Sequence, residues 1–95
     1  MLHTLMHSPA QCDFALLLRM LKAGDDLLLM QDGVIAGVQG SLALEKLLQS
    51  PAHLYILRED VDARGLFAQI SNSTTLVDYT DFVALTVKQP QQMTW

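Results

Sequence analysis

The sequence predicts an α/β protein of three layers, a parallel sheet with helices on both faces, and three observations carry that prediction. Leu27-Leu28-Leu29-Met30 is an uninterrupted apolar run, the pattern of a strand that has no water-facing side. Short apolar or β-branched runs alternate along the chain with segments of helical periodicity, which is the rhythm of βαβ units. Gly24, Pro51, Gly65 and Pro90 punctuate the helical segments at their carboxyl ends.

Each element follows in order. Leu2 to Met6 reads as the first strand. Ser8-Pro9-Ala10-Gln11 then offers a capping serine, a proline at the first helical position and a glutamine at the third, the signature of a capping box. The helix it opens is expected over 9–23, with Gly24 supplying the left-handed residue that stops it. On that helix Phe14, Leu17, Leu18 and Leu21 share the face that packs on the sheet. Leu16 and Met20 lie well round from it and are candidates for meeting a partner; the alternative is two apolar side chains left in solvent.

The run at Leu27 to Met30 is the central strand, and Asp32-Gly33 turns the chain at its carboxyl end, where open α/β sheets keep their sites. Val34 to Val38 is expected to make a turn of helix that Gly40 interrupts. Ser41 caps a second helix to Gln49, with Ala43, Leu44, Leu47 and Leu48 inward, and Pro51 ends the segment. His53 to Leu57 is a third strand, Glu59 to Arg64 a short helix closed by Gly65, and Thr74 to Val77 a fourth strand. Asp78 or Thr80 caps a last helix through about Gln89, with Tyr79, Phe82, Val83 and Val87 inward and Pro90 as its stop. Gln92 to Trp95 leaves room for one more edge strand. No internal repeat or linker divides the chain, so residues 1–95 are expected to form a single domain.

Composition narrows the function classes. A hydrophobic fraction of 51% and a mean hydropathy of +0.25 are high for a chain that must cover itself with polar surface, so oligomerisation is expected. Ten acidic residues against six Lys and Arg, with no basic run, lack the electrostatic footprint of a nucleic-acid grip. One cysteine excludes an internal disulfide and points to a reducing compartment. With no basic leader and no apolar run of membrane-spanning length, the expected location is the cytoplasm.

Candidate chemistry is sparse. Cys12 would fall in the first turn of the capped helix, where free amides favour a thiolate, yet no His or Lys adjoins it; an inert thiol is the better reading. His3 and His7 straddle the end of a strand and His53 is isolated, so none forms a helical His-x-x-x-His metal pair, and no metal or cofactor is expected. Asp25 and Asp26 precede the central strand while Asp32 follows it, which separates them by roughly 20 Å and excludes a phosphoacceptor pocket. Asp32 reads as a turn residue. No phosphate loop, nucleophile elbow or nucleotide fingerprint is present.

Several stretches together resemble the TusB family, the DsrH-like branch of the DsrEFH sulfur-relay proteins. They are Leu2-His3-Thr4-Leu5 with Ser8-Pro9; Gly24-Asp25 and Leu27 to Val34; Glu59-Asp60 with Ala63-Arg64-Gly65-Leu66; and Ile70-Ser71-Asn72. The most specific block is Asp78-Tyr79-Thr80-Asp81-Phe82-Val83 with Leu85-Thr86-Val87-Lys88 and the ending Gln92-Met93-Thr94-Trp95. The resemblance implies a five-stranded parallel sheet in a three-layer α/β/α arrangement, with the C-terminal strand beside the first. It also implies a heterohexamer with TusC-like and TusD-like subunits, two copies of each, passing persulfide sulfur from TusA towards TusE for 2-thiolation of the tRNA wobble uridine. In such complexes the persulfide-bearing cysteine belongs to the TusD-type subunit. Relatives in sulfur oxidisers carry a first-helix cysteine that aligns nearer Arg19 than Cys12. The leading reading is therefore a non-catalytic subunit, with Leu16 and Met20 as interface candidates. The alternatives are a direct persulfide carrier using Cys12, and a homo-oligomeric module binding a small ligand or partner at the Asp32-Gly33 loop.

Overall fold

A computed structural model describes residues 1–95. The strands β1 (Leu2–Leu5), β2 (Asp26–Leu29), β3 (His53–Leu57), β4 (Thr75–Val77) and β5 (Gln92–Thr94) form one parallel sheet in the order β4-β3-β2-β1-β5. Register is set from the middle: Leu2 pairs with Asp26 and Leu5 with Leu29 on one side, and Asp26 pairs with His53 and Leu29 with Ile56 on the other. The C-terminal strand lies beside β1, with His3 paired to Met93. Every residue of β2 is buried, as a strand covered on both faces requires.

The connections explain the layers. β1, β2, β3 and β4 step across the sheet in one direction, so right-handed crossovers place α1 (Phe14–Met20), α2 (Leu42–Leu48) and α3 (Arg58–Ala63) on one face. There Leu17, Leu21, Leu47 and Val61 close over Leu5, Leu27, Leu29 and Ile56. The return from β4 to β5 runs the opposite way, and α4 (Tyr79–Lys88) therefore lands alone on the other face, with Leu85 and Phe82 packed on Leu2, Leu28, Leu57 and Val77.

Local signals held where a side chain makes a cap. Ser41 Oγ accepts from the Leu44 N–H at 3.2 Å, and Asp78 rather than Thr80 caps α4, in a reciprocal box with Asp81. The first helix differs from expectation. Ser8 makes no capping bond, Pro9–Gln11 forms only a 3-10 turn, and Cys12 is extended at φ −138° and ψ 171°. Asp13 restarts the chain as the actual cap, accepting from the Leu16 N–H at 3.1 Å, so α1 holds seven residues instead of about fifteen. Gly24 does take a left-handed φ of +89°, but in the turn that follows α1 and not at its end.

Facing also differs on two helices. Leu48 of α2 is exposed, and on α4 the buried residue is Leu85, while Tyr79, Val83 and Val87 are 51%, 58% and 80% exposed. Residues 79, 83 and 87 recur every four positions and so share a face. The sheet takes the face carrying Phe82, Leu85 and Gln89 instead.

Gly33 follows β2 at a point where the chain presses on β1. Its N–H donates to the Met30 carbonyl at 2.8 Å, and a β-carbon at this position would overlap the Leu5 carbonyl oxygen. Backbone on backbone leaves nothing flexible to yield. Gly33→Ala is expected to lower unfolding stability by about 2 kcal/mol or more in urea titration, because a methyl group must displace the β1–β2 pairing.

Candidate functional site

At the carboxyl end of the sheet the turn after β2 is a brace. Gln31 adopts φ +49°, left-handed for a residue with a β-carbon. Its N–H donates to Asp60 Oδ2 at 2.6 Å. Arg64, just past α3, donates through Nε and Nη2 to Asp32 Oδ1 at 3.2 and 3.0 Å and lies 3.8 Å from Asp60 through Nη1. Asp32 is thus an ion-pair partner as well as a turn residue, a role no local pattern revealed because Arg64 is 32 residues away. Next to it, Glu59 Oε2 accepts from the Tyr79 N–H at 3.3 Å, and Arg58 lies 3.6 Å from Asp78, tying α3 to the start of α4. Most polar groups of this loop cluster are spent on one another; Glu59 Oε1 is buried without a partner.

Cys12 sits in the break between the 3-10 turn and α1. Its thiol is half-buried, 4.0 Å from the Pro9 carbonyl oxygen. Burial, and then the charge of Asp13, push its pKa up, which disfavours the thiolate that any sulfur-accepting nucleophile needs. The break also removes the helix N-terminus that the sequence reading placed beneath it. Leu16 and Met20 sit on α1: Leu16 is 36% exposed, and half-buried Met20 lines a cavity of about 220 Å³ with Met1, Lys22, Asp25 and Gln91.

The amino end of the sheet holds a buried polar cluster that sequence reasoning missed. His3 is fully buried and bonded on both ring nitrogens: Trp95 Nε1–H donates to Nδ1 at 3.1 Å, and Nε2 lies 3.2 Å from Asp25 Oδ2. An indole can only donate, so the imidazole proton sits on Nε2 and is given to Asp25. Asp25 also accepts from the Met1 ammonium at 3.0 Å and from the Lys22 N–H at 3.0 Å. Burial raises the Asp25 pKa, but the bonds from the ammonium, Lys22 and His3 outweigh it and hold the carboxyl below its ordinary value.

Asp26, fully buried beside it, accepts from Lys88 Nζ at 3.1 Å and Gln89 Nε2 at 3.0 Å, both on Oδ2, and its Oδ1 has no partner. That hydrogen bond and the Asp26 charge raise the Lys88 pKa. The cluster joins both chain termini, the turn before β2 and the end of α4. It is a structural clamp by geometry, since His3 and Asp26 are fully buried and Asp25, the one carboxylate that reaches the cavity beside Met20, spends its oxygens on Met1, His3 and Lys22. Its members are scattered from residue 1 to residue 95, so no motif could announce it.

A family model described as DsrH like protein matches residues 7–92 of this chain. Protein TusB of Erwinia tasmaniensis is 61% identical over 95 residues, and Protein TusB of Escherichia coli 60%, each alignment covering 100% of both chains. Among solved structures, the solution NMR structure of protein Tm0979 from Thermotoga maritima superposes with a TM-score of 0.69 at 26% identity, covering 96% of this chain and 97% of that one. The crystal structure of the ychN protein from Escherichia coli gives a TM-score of 0.73 at 17% identity over 99% and 97%, a likeness of fold.

Two outcomes test the clamp. Trp95→Phe keeps the ring but strands His3 Nδ1 in the core, and is expected to cost about 1–3 kcal/mol in urea unfolding. Because the folded-state pKa of Asp25 is lowered, its contribution is fully present above the ordinary carboxylate value of about 3.9 and disappears as pH falls through the lowered one. Asp25→Asn should therefore be less stable at neutral pH and lose less stability on acidification than the parent, as followed by thermal melts across the acid range.

Proposed function

The chain belongs to the DsrH-like family, and from that membership we propose that it serves in a cytoplasmic sulfur relay for tRNA thiolation as a subunit that does not itself carry sulfur. In this reading it assembles with TusC-like and TusD-like subunits, two copies of each, in a complex that takes persulfide sulfur from TusA and hands it towards TusE for 2-thiolation of the wobble uridine. The observation that carries the non-carrier role is the setting of Cys12. It is the chain's single thiol, half-buried, with burial and Asp13 acting against its ionisation. A persulfide carrier needs the opposite environment, an exposed thiol whose thiolate is favoured.

Charge and surface agree with a subunit role. A net charge of −4 suits a protein that hands sulfur between proteins and leaves the RNA to others. No helix is long and apolar enough to cross a membrane. Nine large apolar side chains stand exposed on a 95-residue chain, among them Leu16 on α1, which with Met20 remains the proposed contact for another subunit.

Co-expression of the tagged full chain with its TusC-like and TusD-like partners is expected to yield one three-component assembly by native mass measurement. Recovery of this chain without them would sink the subunit reading. Cys12→Ser is expected to leave both the assembly and cellular tRNA 2-thiolation near normal; loss of thiolation with the assembly intact would make Cys12 the carrier.

A further inference from the structure

We propose that Asp32-Gly33 is a modification site, the point at which this chain isomerises slowly to isoaspartate, and that the brace formed by Arg64 and Asp60 restrains the reaction. The dipeptide is imposed by packing. A β-carbon at residue 33 would overlap the Leu5 carbonyl oxygen, so glycine alone fits after Asp32. Without a side chain, a glycine amide is the least shielded nucleophile that can follow an aspartate, and no other aspartate of this chain precedes a glycine. The chemistry is an internal acyl transfer. The Gly33 nitrogen loses its proton and bonds to Asp32 Cγ, a carboxyl oxygen departs as water, and a five-membered succinimide closes. Water then adds to one of the two ring carbonyls. Opening on one side regenerates aspartate; opening on the other leaves the main chain running through the side-chain carboxyl, one carbon longer. One water leaves and one returns, so no other reactant is consumed.

The fold opposes each requirement of that reaction. Gln31–Gly37 is 3-10 helical, which fixes the rotation about the Asp32 Cα–C bond that would swing the Gly33 nitrogen onto Cγ. Gly33 is buried, and its N–H is held by the Met30 carbonyl at 2.8 Å, away from any base that could take the proton. Arg64 grips Asp32 Oδ1 through two nitrogens at 3.2 and 3.0 Å and so pins the carboxyl. Gln31, left-handed at φ +49°, donates to Asp60 at 2.6 Å, and Asp60 lies beside the same guanidinium. Isomerisation therefore waits on local opening of this loop. Its product cannot restore the brace, because an extra main-chain carbon enters where the backbone already presses on β1. The inference is independent of the subunit reading.

Ageing of the purified full chain in warm neutral buffer tests it, with isoaspartate located by tandem mass spectrometry and a synthetic peptide of residues 28–36 as the unrestrained reference. The folded chain is expected to isomerise first at Asp32, at least about tenfold more slowly than the peptide. Arg64→Ala is expected to raise the Asp32 rate about fivefold, the factor that loss of a partly exposed ion pair gives to a local opening equilibrium. Asp60→Ala, which frees the Gln31 N–H, should act in the same direction. Trp95→Phe weakens the fold at the amino end of the sheet and controls for general loosening; the Asp32 rate should not change in it. A folded chain that isomerises as fast as the peptide, or first at another aspartate, overturns the proposal. So does an Arg64→Ala chain that forms isoaspartate no faster than its parent, or a Trp95→Phe chain whose rate rises equally.

Discussion

Burial of β2 on both faces and both edges is the constraint from which the remaining architecture follows. Leu27, Leu28 and Leu29 are at most 1% exposed, and each contributes about 1.5–3 kcal/mol by leaving water. A strand so placed can donate no side chain to solvent, so its polar neighbours must be accommodated at its two ends. Those ends are built differently. The amino end begins with Asp25 and Asp26, which are drawn into the interior and need partners there. The carboxyl end runs out into Gln31 and Asp32, which are tied to α3 at the surface.

The amino-end clamp shows how a small domain keeps buried carboxylates. Asp25 is surrounded by three donors from two segments, Met1 and His3 at the start of the chain and Lys22 after α1, and Asp26 by the last turn of α4 and the residue that ends it. Removing one partner from such a set leaves a charge uncompensated in low dielectric, which costs more than the pair itself contributes. The arrangement also fixes the chain termini. Trp95 accepts and donates backbone bonds with β1, through Met6 N–H and the Thr4 carbonyl, while its indole reaches His3. The three-residue strand β5 has little pairing of its own, and this side chain anchors it.

Where chemistry would be sought in an open α/β sheet, the structure spends its polar groups on bracing, and the one thiol lies in a setting that raises its pKa. What the molecule does present is apolar surface on both outer layers. Its members are Leu16, Leu42 and Leu48 on one side and Tyr79, Val83 and Val87 on the other. That distribution fits a protein whose work is done in contact with others. Membership of the DsrH-like family gives those contacts a sulfur-relay context.

By itself the sequence determined the class, the order of the elements and most of their ends. Those properties are written in neighbouring residues: the apolar run of Leu27 to Met30, the caps at Ser41 and Asp78, and the left-handed glycine at 65. It misjudged the first helix because two caps, Ser8 and Asp13, competed within six residues, and only packing of Leu17 and Leu21 on the sheet decided for the second. It misjudged α4 because apolar residues ring most of that helix, and the helical period alone cannot say which arc meets the sheet. Packing of Phe82 and Leu85 on Leu2, Leu28, Leu57 and Val77 settled it. Tertiary structure alone decided the His3, Asp25 and Trp95 clamp and the Asp32–Arg64 pair, since hydrogen bonds between residues brought together from distant parts of the chain leave no trace in local spacing.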